Sequence, residues 1–162
     1  MQAQNAHPFV VINISIALAL LFCIFPMPQA WAWFRPAFVC LVVIYWAIAL
    51  PQLFGVGAAW LVGLVQDVVE YSTLGQHALA LMAVAYVCHL SYQRIRNYAL
   101  WQQSAWVFVL VGIHQLFWNW VHSLHGSTAS PLYFLLPALV SALAWPIILV
   151  LLEWARLRFR IQ

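Results

Sequence analysis

A chain of 162 residues that is 67% hydrophobic and only 6% charged cannot cover a soluble surface, where about a quarter of residues carry charge. The net charge of +3 comes from six arginines against three acids, with no lysine, so the basic balance is no sign of nucleic-acid binding. The chain is expected to be an integral membrane protein with no extramembrane domain, which excludes a soluble catalytic module.

A membrane-spanning helix needs about 20 apolar residues, so the length accommodates six spans. Helices are expected at 8–26, 36–51, 55–71, 73–92, 99–123 and 131–154, in one all-α domain over 1–162. The first apolar tract precedes Ala30-Trp31-Ala32, which mimics a leader cleavage site. No Arg or Lys stands before it, so it reads as a retained first helix. Pro26 and Pro28 end that helix. Arg35-Pro36 opens the second and Pro51 closes it, ahead of Gly55 and Gly57. Thr73-Leu74-Gly75-Gln76 fits a capping box, with Thr73 as N-cap and Gln76 reaching back. Gly126 to Pro131 is a polar turn. Pro137 and Pro146 should bend the sixth helix.

With six spans, Arg94, Arg96, Arg156, Arg158 and Arg160 share one side, and the other holds only Arg35. Positively charged residues concentrate on the cytoplasmic side, so both termini should be cytoplasmic. Trp31, Trp33, Tyr71 and Tyr133 then fall near the outer interface. Tyr92, Tyr98, Trp101 and Trp154 fall near the inner one. The arginine cluster can anchor the chain on anionic lipid or meet a cytoplasmic partner. Glu153 can pair with Arg156 three residues on.

Two of the three acids, Asp67 and Glu70, interrupt the apolar third helix near its outer end. That end carries the negative helix pole, which penalises an acid by about 0.3–1 kcal/mol. A charge deep in the bilayer costs about 2.5–3.5 kcal/mol on insertion scales. Gly55, Ala59, Gly63 and Asp67 recur every four residues, a ridge of small residues that lets another helix come close. Asp67 should therefore face a neighbouring helix, while Glu70 can snorkel. On the fifth helix Gln115, Asn119 and His122 share a face at the same depth, and His77 opens the fourth. These groups can form an interhelical hydrogen-bond network, a partner-docking site or a small-ligand pocket.

Metal and catalytic signatures are weak. His122-x-x-His125 and His114 lack the third and fourth ligands at zinc spacing, so the histidines read as interfacial and no cofactor is expected. Cys23, Cys40 and Cys88 read as small buried hydrophobes. Ser127 and Ser130 sit outside any nucleophile elbow.

The ordered segments FRPAFVCLVVIYWAIALP, GVGAAWLVGLVQDVVEYSTLGQHALA, RNYALWQQ and ALAWPIILVLLEWARLRF resemble the rod shape-determining MreD family. The resemblance spans about residues 34–160. Its Gly-x-x-x-Asp pattern falls on Gly63 and Asp67, and its Leu-Gly on Leu74 and Gly75. Where relatives carry an acid in the fifth helix, this chain has His114, Gln115 and Asn119. The resemblance implies a non-enzymatic inner-membrane component of the bacterial elongation machinery. Its implied partners are MreC and, through it, MreB, RodA and a class B penicillin-binding transpeptidase. It also implies a fold similar to the substrate-binding S-components of vitamin transporters. That likeness and the outer polar cluster leave a solute-binding transport subunit as a second reading. An intramembrane enzyme using His and Asp is a third, though no nucleophile–base spacing supports it.

Overall fold

The computed structural model describes residues 8–25, 34–123 and 135–159. Expectations placed on Pro26, Pro28, Trp31, Trp33, His125, Gly126 to Pro131, Tyr133 and Arg160 lie outside these residues, as does the side chain of His122. Six helices are described: α1 (Pro8–Ile24), α2 (Phe38–Ala49), α3 (Val56–Val69), α4 (Gln76–Ile95), α5 (Leu100–Ser123) and α6 (Leu136–Arg158).

α2 is apolar on every side, and its residues from Val39 to Ala47 are all buried. A helix hydrophobic all round must sit inside other helices. Here α1, α4, α5 and α6 pack directly on it. Around it, α1, α3, α4, α5 and α6 touch in that cyclic order, and α6 closes back on α1. Trp46, fully buried, anchors the centre. Its indole Nε1 donates to Ser15 Oγ of α1 at 2.8 Å.

Long-range polar bonds set the helix directions. The backbone N–H of Ala37, before α2, donates to Ser141 Oγ near the start of α6 at 2.9 Å. Tyr45 OH, in the last turns of α2, donates to Glu153 Oε2 in the last turns of α6 at 2.7 Å. α2 and α6 therefore run parallel. His89 Nε2, late in α4, bonds the carbonyl of Phe54, just beyond α2, at 3.1 Å, so α4 runs the same way. Arg94, Arg96, Arg156 and Arg158 consequently share one end of the bundle. Arg35 lies at the other, where its Nη2 donates to the carbonyls of Phe22 and Phe25. A cation there complements the negative pole of α1.

Two proline and cap assignments differ from expectation. α6 begins at Leu136, and Pro137 sits in its first turn. No intrahelical N–H is needed there, so Pro137 starts the helix rather than bending it. Pro146 does lie inside α6. α4 begins at Gln76 with Gly75 as N-cap and no side-chain cap from Thr73. Gln76 does not reach back; its amide Nε2 crosses to the carbonyl of Trp118 on α5 at 3.1 Å.

α5 and α6 contain stretches of 22 and 23 residues long and apolar enough to cross a membrane. α1, α2 and α3 are apolar but shorter. Large apolar side chains such as Leu18, Phe22, Leu61, Val68, Leu116, Leu143 and Leu151 face outward. Such an exterior suits lipid, and the described charges gather at the helix ends.

Trp46→Ala should cost about 3–5 kcal/mol, because the cavity opens at the common contact of the bundle. The check is the thermal unfolding midpoint in detergent. Trp120→Ala, on the exposed face of α5, should leave that midpoint nearly unchanged.

Candidate functional site

The α3–α4 junction begins with a backbone device. Glu70 ends α3, and Tyr71 follows with φ 52°, in the left-handed region. The Ser72 N–H donates to the Asp67 carbonyl at 3.0 Å, and the Tyr71 N–H to the Val68 carbonyl at 3.4 Å. This is a Schellman motif with a tyrosine where glycine is usual. A side chain in that conformation costs about 1–2 kcal/mol. Tyr71 is 97% exposed, so no packing within the described chain offsets that cost.

The turn aims the start of α4 back at Asp67, whose carboxylate is fully buried. Oδ2 accepts the Gly75 N–H at 2.7 Å. Oδ1 accepts the His77 N–H, His77 Nδ1 and Ser72 Oγ, each at 2.8 Å. One carboxylate thus takes up unpaired amides at the N-terminus of α4, where the helix pole is positive. Gly75 itself holds φ 97°, a conformation glycine adopts without steric penalty. The penalty expected from α3's own negative pole is answered by the positive pole of α4.

Gly63 makes this approach possible. A Cβ there would stand 2.6 Å from Ala78 N and 2.7 Å from the His77 carbonyl oxygen, and against Ala78 Cα. No real side chain fits. Ala59 and Asp67 are also fully buried, so the small-residue ridge does face α4. Gly55 does not share in it: it is the N-cap of α3, with open space beside it.

The cluster extends outward through His77. Its Nε2 lies 3.5 Å from Glu70 Oε2, so the imidazole bridges both carboxylates. Glu70 Oε1 accepts Gln66 Nε2 at 2.8 Å. Glu70 is partly exposed but tethered, not free to snorkel.

From α5 the structure brings His114, not Gln115, against His77, with ring centroids 5.8 Å apart. Both ring nitrogens of His114 are buried without a hydrogen-bond partner. Asn119 Oδ1 is likewise buried and unpartnered, and Gln115 is only half-buried. Of the face expected from Gln115, Asn119 and His122, Asn119 turns its amide oxygen inward, while His114 takes the place beside His77; helical spacing alone leaves that rotation open. Ser72 and Gln66 escaped sequence reasoning, while Gln76 and His114 were singled out there for other roles. Ser72 and Gly75 had a signal: a short loop after an acid brings the next helix's amides to that acid.

Of the basic residues, Arg94, Arg96 and Arg158 are exposed, and Arg156 Nη1 lies 3.5 Å from Glu153 Oε1. They are at the opposite end from Asp67. Cys23, Cys40 and Cys88 are free thiols, the last two buried. No group of three or more His, Cys, Asp or Glu side chains among the described residues could hold a metal.

An all-helical bundle with an apolar exterior and two helices long and apolar enough to cross a membrane, joined by a carboxylate that caps a neighbouring helix, suits a membrane protein with a structural polar centre. Residues 4–155 match the family model of the rod shape-determining protein MreD. The chain is also 34% identical over 142 residues to the rod shape-determining protein MreD of Haemophilus influenzae, covering 85% of each. The chain belongs to the MreD family, whose role is the determination of cell shape. No solved structure matches it, so the expected likeness to transporter S-components gains no support from known structures.

Asp67→Ala should cost about 3–5 kcal/mol, since it strands buried donors. Asp67→Asn should also destabilise, because its NH₂ group meets an N–H donor where the carboxylate had an acceptor. Gly63→Ala should cost about 1–3 kcal/mol by forcing α3 and α4 apart, whereas Gly57→Ala, with open space around it, should not. Tyr71→Gly should raise the melting temperature by removing the left-handed strain. Thermal melts of the purified variants check all five.

Proposed function

We propose that this chain crosses the bacterial inner membrane six times, with both termini cytoplasmic, and serves as a non-enzymatic scaffold of the cell-elongation complex. In this reading it associates with MreC and, through it, with MreB, RodA and a class B penicillin-binding transpeptidase, in support of peptidoglycan synthesis. Family membership supports the shape-determining role. The observation that carries the scaffold reading is the use made of Asp67, whose acceptors are occupied in holding α3 to α4. Its chemistry is that of a structural joint.

Orientation rests on the arginines. The end that gathers Arg94, Arg96, Arg156 and Arg158 is cytoplasmic by the positive-inside tendency. Six crossings fit even though α2 has 12 residues and α3 has 14. α2 is sheathed by protein, so its flanking irregular backbone need not meet lipid. On this reading the Asp67 junction lies near the outer face and fixes the arrangement of α3, α4 and α5 that receives MreC.

The test is purification of the tagged chain from native membranes in mild detergent, with mass spectrometry of co-purifying proteins. MreC should be recovered stoichiometrically, with RodA and the transpeptidase in smaller amounts. Asp67→Ala should lower MreC recovery several-fold and round the cells. MreC missing from the wild-type preparation, or rod shape and assembly unaffected by both Asp67→Asn and Asp67→Leu, would overturn the reading.

A further inference from the structure

The arginine end of the bundle contains a cavity of about 270 Å³ between α2, α4, α5 and α6. Its floor is apolar, with Ile48 and Leu149. Its rim is polar: Tyr45, Arg96, Gln103, Glu153 and Arg156. Hydrogen bonds hold much of that rim in place. Tyr45 OH donates to Glu153 Oε2 at 2.7 Å, and Arg156 Nη1 stands 3.5 Å from Glu153 Oε1. Gln103 Nε2 donates to the Tyr98 carbonyl at 3.1 Å, and its Oε1 accepts the Trp145 indole N–H at 3.4 Å.

The charge on this rim does not balance. Among the described residues Glu153 is the only acid at this end, and it is already engaged by Tyr45 and Arg156. Asp67 and Glu70, the other two acids, are at the opposite end, bonded to His77 and Gln66. Arg96 therefore presents a cation to the cavity with no carboxylate among the described residues to meet it. The C-terminal poles of α2, α4 and α6 offset part of this charge, while the positive pole of α5 adds to it. The aromatic residues Tyr92, Tyr98, Trp101 and Trp154 stand at the same end, the depth at which lipid headgroups lie.

A ligand suited to this site is anionic at one end and apolar at the other. Basic pockets between membrane helices on the cytoplasmic side hold lipid headgroups for this reason. We propose that the cavity binds the phosphate headgroup of an anionic glycerophospholipid. Arg96 is the main contact to the phosphate, Arg156 the second, and the acyl chains leave over Ile48 and Leu149. This assignment rests on the reading that the arginine end lies at the cytoplasmic interface.

The experiment is native mass spectrometry of the full chain released from nanodiscs of equal phosphatidylglycerol and phosphatidylcholine. The wild type should retain phosphatidylglycerol in preference. Arg96→Gln should lower that retention about fivefold, while Arg94→Gln and Arg158→Gln, exposed and outside the cavity, should leave it unchanged. An equal fall in all three variants would show unspecific surface attraction and overturn the site, as would no fall in Arg96→Gln. Displacement of the lipid by millimolar glycerol phosphate would assign the cavity to a soluble phosphate instead. Wild-type protein that fails to enter nanodiscs would overturn the membrane reading together with the site, whereas normal entry without lipid preference overturns the site alone.

Discussion

The arrangement of this bundle turns on one carboxylate placed between two helix ends of opposite polarity. Asp67 belongs to the last turn of α3, where its own helix disfavours it. It survives there because the Gly75 and His77 amides of the α4 N-terminus converge on it. Inside a low-dielectric bundle neither partner could be left alone: the amides would be unpaired donors and the acid an uncompensated charge. The contact demands that two backbones nearly touch. Gly63, one turn before Asp67, is the residue that permits it.

The same economy appears elsewhere. The described interior holds few polar side chains, and most of them tie one helix to another. Ser15 takes the Trp46 indole, Ser141 takes the first amide before α2, and Glu153 takes the Tyr45 hydroxyl. These bonds are individually modest, about 0.6 kcal/mol each in membrane proteins. Their value is direction: apolar packing between helices is compatible with many rotations, and a hydrogen bond selects one. His114 and Asn119 depart from the pattern, with buried ring and amide atoms that meet no partner. Both lie on α5, and His114 packs directly against His77 of the Asp67 junction.

Much of the fold was legible because its signals are local. The small-residue spacing Ala59, Gly63, Asp67 showed which side of α3 a neighbour must approach. The arginine distribution separated the two ends of the bundle. The start of α4 was misread at Thr73 because a capping box is a local pattern, and here a residue from another helix does the capping. The polar face of α5 was expected from Gln115, Asn119 and His122, whereas His114 is the residue against His77, for a related reason. Periodicity shows which residues share a face, but the rotation of that face in the bundle is decided by all the neighbours at once.

Sequence by itself pointed to the class of protein: nine charges among 162 residues are far fewer than a soluble surface usually carries, and apolar runs with proline and glycine breaks mark the helices. It also singled out Asp67 as anomalous and Gly63 as its companion, since a charge in an apolar tract has a cost that chemistry must answer. Only the tertiary structure decided what the answer is. It placed α2 at the centre, turned His114 toward His77, and brought the amides of α4 to the carboxylate. The physical reason is that burial and charge are properties of single residues, whereas a hydrogen bond across helices exists only once their positions and rotations are set.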